Sequence, residues 1–124
     1  MKIIELKKIA IFLFFIMFIY SGISKIFNFD KKTEKLSKKT HLPYIINVLG
    51  MIMVILLEII GSLLIIYYFF YGKISKKFIK IVLLLYLLFL IVVTILYHPP
   101  TKQIIPFLSN VTTFSGLLLI YTIL

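Results

Sequence analysis

The fold class predicted is an all-α integral membrane protein, an antiparallel up-and-down four-helix transmembrane bundle. Three observations predict it. Hydrophobic residues make up 62% of the chain, against roughly half in soluble domains, and the mean hydropathy is +1.15. Four stretches also approach the roughly 20 apolar residues that a helix needs to cross a hydrocarbon core about 30 Å thick. With 124 residues, the chain has no length for a soluble module beside four spans. It is therefore expected to form a single domain, 1–124, with short connections that make successive helices antiparallel.

The first helix is expected from about 9 to 27, opened by Lys7 and Lys8. Lys2, Lys7 and Lys8 before a long apolar run, with Gly22 and Ser24 at cleavage spacing, also fit a secretory leader. The spanning reading is preferred because the chain starts at Met1 and keeps this segment. The second helix is expected from about 43 to 71, with Pro43 in its first turn and Gly72 after its end. Its length implies a tilt or first turns at the interface. The third, about 78–97, is stopped by His98, Pro99 and Pro100, and the fourth, about 104–124, carries Pro106 in its first turn. Residues 28–42 are polar and lysine-rich, and are expected to form a solvated basic loop.

The formal charge is +10. The lysines sit at the ends of apolar segments, where they face water or lipid headgroups, so the bilayer is the expected partner and nucleic acid is not. Lys2, Lys7, Lys8, Lys73, Lys76, Lys77 and Lys80 fall on one face, and Lys25, Lys31, Lys32, Lys35, Lys38, Lys39 and Lys102 on the other. This even split assigns no orientation. With no cysteine, thiol redox chemistry, iron–sulfur clusters and cysteine zinc sites are excluded for this chain alone. No metal site is expected, and His41 and His98 make a poor haem pair. No cofactor is intrinsic, so electron transfer would need a borrowed one.

The polar residues inside the apolar segments carry the functional reading. On the second helix, Asn47, Gly50, Val54, Glu58, Gly61 and Ile65 follow steps of three or four and share one face. Glycines permit close helix approach, whereas Asn and Glu need partners that lipid lacks. Gly22, Gly50, Gly61 and Gly116 are the candidate packing positions. A carboxylate near the bilayer centre costs at least about 2.5–3.5 kcal/mol, which asks for a compensating role. Lys25 is the cationic candidate partner, but the distance from the start of the second helix puts Glu58 about 20 Å deep at 1.5 Å per residue. Direct pairing then requires tilt, a deeper Lys25 or a hydrogen-bonded relay. Alternating helix directions gather Lys25, Asn47, His98 and Asn110 at one mouth, with Glu58 further in.

Simpler readings stand beside these. Lys25 fits a snorkelling anchor, His98 fits a helix stop, and Asn110 and Thr113 fit bonds between neighbouring helices. The Phe12–Phe18 and Tyr67–Tyr71 clusters fit lipid-facing and interfacial packing.

FIYSGISKIFNF at the end of the first helix, LEIIGSLLI in the second, and LYHPP followed by FLSNVTTFSGLLLI resemble the DoxX-like family of small four-helix membrane proteins. The matching positions are Gly22, Lys25, Glu58, Gly61, His98 and Asn110. The resemblance implies a four-helix bundle and, for some members, association with membrane redox systems such as thiosulfate:quinone oxidoreductase. It brings no catalytic residue set, and the basic loop is longer here than in the family pattern. The function expected is a small subunit or accessory protein of a membrane-bound, quinone-linked oxidoreductase system, holding a quinone or lipid, with oxidoreductase subunits as partners and no stand-alone enzyme activity. The alternatives are a proton-coupled transporter using Glu58 and a non-catalytic assembly or structural protein.

Overall fold

The computed structural model describes residues 2–97 and 104–124. Within them the chain is helical: α1 (Ile3–Phe27), α2 (Phe29–Thr40), α3 (Tyr44–Leu56), a π-helical turn (Leu57–Gly61), α4 (Ser62–Tyr71), α5 (Lys76–Tyr97) and α6 (Ile104–Thr122). The α3 helix, π turn and α4 are continuous, so four helices are long and apolar enough to cross a membrane, with 25, 28, 22 and 19 residues. The all-α membrane class expected from the sequence is therefore correct, and this is a multi-pass integral membrane protein. Its residues group into two compact units, Met1–Ile79 and Lys80–Leu124.

In the first unit α1 begins six residues before the expected Ile9. IIELKK has no helix breaker, and Glu5 in the first turn complements the helix dipole. Along α1, Ile11, Phe15, Phe18 and Gly22 are buried at steps of three and four, forming the stripe that packs. The partner stripe is Met51, Glu58, Gly61, Ser62 and Ile65. The two run antiparallel: Lys8 Nζ lies 5.6 Å from the centre of the Phe70 ring, while Gly22, near the other end of α1, meets Ile59.

The basic loop expected at 28–42 is instead a helix. FDKKTEKLSKKT contains no glycine or proline and is rich in good helix formers. Asp30 in the first turn and Lys38 and Lys39 in the last complement the dipole. His41 ends the helix in the left-handed region at φ 58°, its N–H donating to the Ser37 carbonyl at 2.9 Å, and Pro43 follows. Polarity alone does not make a loop, because α2 needs only one weakly apolar face. Thr33 on that face is fully buried.

In the second unit, α5 buries Val82, Leu83, Tyr86, Leu87 and Leu90, and α6 buries Leu117 and Ile120. Lys80 Nζ stands 5.5 Å from the centre of the Tyr121 ring, pairing the start of α5 with the end of α6 and making these helices antiparallel.

Candidate functional site

The first unit holds an ion pair between spanning helices. Lys25 Nζ lies 2.7 Å from Glu58 Oε1, with the lysine side chain 18% exposed and the glutamate side chain 3%. The same ammonium donates to Ser21 Oγ at 2.6 Å. Ser21 is one turn before Lys25 on α1, so the spacing of four seen in the sequence delivers a preorganised acceptor. Lys25 also occupies the last turn of α1, where the negative end of the dipole favours a cation.

Depth does not prevent direct pairing, because α1 ends beside the middle of the longer helix. Fourteen residues separate Tyr44 from Glu58, about 21 Å of helix, whereas Lys25 stands two residues before the end of α1. The first turns of α3 therefore run on past α1 and are accompanied by α2. No relay is needed.

Glu58 sits in the π turn, a feature of backbone geometry that tends to occur at functional sites. The wider turn brings the adjacent Gly61 and Ser62 both to the buried side. It also presses against α1 at Gly22. A Cβ at Gly22 would lie 2.6 Å from Ile59 Cγ1 and 3.3 Å from Glu58 Cβ, so the close approach depends on glycine. Gly50 differs: a Cβ there meets nothing within 4 Å, because the end of α1 lies further along, so the close packing expected at Gly50 is absent among the described residues.

Asn47 is buried on the same helix, 2% exposed, but serves the α2–α3 turn. Its Oδ1 accepts from Thr40 Oγ1 at 2.7 Å, and its Nδ2 donates to the Leu42 and Pro43 carbonyls at 3.0 and 3.1 Å. Three polar groups of a helix hairpin are thereby satisfied by one side chain. The sequence signal was a Thr at a helix end, a Pro, and an Asn in the first turn beyond it.

In the second unit, Asn110 Nδ2 donates to Thr94 Oγ1 at 3.1 Å, and Thr94 Oγ1 donates to the Leu90 carbonyl at 2.6 Å. They are among the residues that line an open, almost wholly apolar cleft of about 260 Å³ between α5 and α6, with Leu90, Ile91, Ile95, Phe107 and Phe114. Gly116 is half-buried. His98 lies outside the described residues.

The methylamine utilisation protein MauE model matches residues 2–104, most of the chain. The chain belongs to the MauE family. The match runs from α1 to the first residue of α6, so Lys25, Asn47 and Glu58 fall inside it and Asn110 outside. It supports membership of a small membrane protein family; the finer likeness to DoxX-like proteins is not what it identifies. No curated protein and no solved structure matches the chain.

Proposed function

We propose that this MauE family member is an accessory membrane subunit of a membrane-bound oxidoreductase system. The observation that carries the reading is the Lys25–Glu58 pair, held by Ser21 and closed over by the π turn. A buried charge pair is weak as a source of stability and is retained where it specifies one arrangement or serves a function. The family's link to methylamine utilisation supports an oxidative setting. With no cysteine in the chain, any electron transfer would use a borrowed cofactor.

A quinone or lipid is the proposed cofactor-like ligand. The α5–α6 cleft suits its hydrocarbon tail, with Asn110 and Thr94 as the polar groups for its head. Isolation in mild detergent, with cross-linking and lipid extraction, tests the reading. Recovery of oxidoreductase subunits with wild-type protein, and their loss from Glu58→Gln, is the expected result. Recovery of neither partner nor quinone contradicts it.

A second reading is a proton-coupled transporter, favoured by a carboxylate 2% exposed on a spanning helix. Proton-driven efflux from proteoliposomes that disappears in Glu58→Gln would establish it in place of the first.

A further inference from the structure

The α2 helix carries five lysines, Lys31, Lys32, Lys35, Lys38 and Lys39, all exposed. At 3.6 residues per turn they fall within an arc of about 120°. The opposite side holds Thr33, which is fully buried, and the half-buried Leu36, Ser37 and Thr40, the side from which Thr40 reaches Asn47. Asp30 and Glu34 lie together on one flank, off the lysine arc. The charge is therefore sorted onto a single outward face of a folded helix.

We infer that this face binds anionic phospholipid headgroups. The α2 helix follows directly on the end of the spanning helix α1 and returns the chain to the start of α3. The chain flanking α2 is apolar and exposed: Ile26 and Phe27 before it, at 52% and 82%, and Leu42, Tyr44 and Ile45 after it. Ile26 and Phe27 close the spanning helix α1, so the lysines that follow them stand next to the bilayer surface. A bilayer takes the apolar end of α1 at the acyl boundary and the lysines among headgroups, where each cation contributes favourably. This surface is separate from the Lys25–Glu58 pair, and its role does not depend on the accessory-subunit reading.

The test uses the full chain in mild detergent micelles containing equal amounts of phosphatidylglycerol and phosphatidylcholine, with retained lipids counted by native mass spectrometry at low and high salt. Wild-type protein should retain phosphatidylglycerol preferentially, and salt should weaken the preference. Lys31→Gln/Lys35→Gln/Lys38→Gln should lower it by about fivefold or more. Lys73→Gln/Lys76→Gln/Lys77→Gln, at a different connection, should leave it unchanged. If the α2 triple variant unfolds at a lower temperature than wild type, Lys38→Gln alone is read in its place. No preference in wild type, equal loss in both triple variants, or displacement of the lipid by a polyglutamate peptide at lower concentration would each overturn the inference, the last in favour of an acidic protein partner.

Discussion

Glu58 is acceptable in an apolar helix because a cation on α1, itself held by the Ser21 hydroxyl, is in place for it. Replacing it separates two costs. Glu58→Gln keeps hydrogen-bonding capacity toward Lys25, whereas Glu58→Leu leaves the ammonium beside a hydrocarbon side chain. The leucine variant should be the less stable of the two by about 1–3 kcal/mol, read from thermal or denaturant unfolding in detergent. In a double-mutant cycle with Lys25→Met, the coupling energy should be about 0.5–3 kcal/mol. Gly22 is the steric counterpart. Alanine there needs space already filled by Ile59 and the Glu58 Cβ, so Gly22→Ala should destabilise by about 1–3 kcal/mol, while Gly50→Ala should be neutral or stabilising by the same assay. Lys25, Glu58 and Gly22 were legible in the sequence because each is anomalous where it stands: charges in an apolar segment, and a glycine beside Ser21 in a helix. The open space at Gly50 was not legible, since it depends on where α1 ends, which no residue of α3 encodes.

The elements divide in the same way. Three spanning helices emerge from apolar length and stop signals nearly as expected, with starts and ends shifted by one or two residues, and α1 is longer because IIELKK gives no reason to stop. Helix α2 was hidden by its composition. Five lysines in twelve residues suggest a solvated connector, and its helical period appears only once the small side chains Thr33, Ser37 and Thr40 are recognised as a packing face. The π turn at LEIIG, which packs against Gly22, has no sequence signature that the apolar pattern reveals. Asn47 belongs at this scale, as its bonds hold the α2–α3 hairpin. Asn47→Ala should cost about 1–3 kcal/mol through unpaired buried groups and should raise amide hydrogen exchange around 40–43 while leaving the Lys25–Glu58 region protected. At the turn itself, His41 at positive φ is a position for glycine, and His41→Gly should hold or modestly raise the unfolding temperature.

For the whole molecule, the membrane class follows from area and hydrogen bonding together. The many exposed Ile, Leu and Phe side chains on the spanning helices are disastrous in water and ordinary in lipid, while helices satisfy their own backbone groups there. Within that setting the first unit gathers the Lys25–Glu58 pair and the second holds an apolar cleft. The account of the first unit rests on direct contact between Lys25 and Glu58, and solid-state NMR of the protein in lipid bilayers measures it most directly. With ¹⁵N in the lysine side chains and ¹³C in the glutamate carboxyls, dipolar recoupling should show strong Lys25 Nζ to Glu58 carboxyl dephasing, as the 2.7 Å separation requires, and Gly22→Leu should weaken it by displacing the π turn. Absence of that dephasing in the folded wild-type protein would contradict the account.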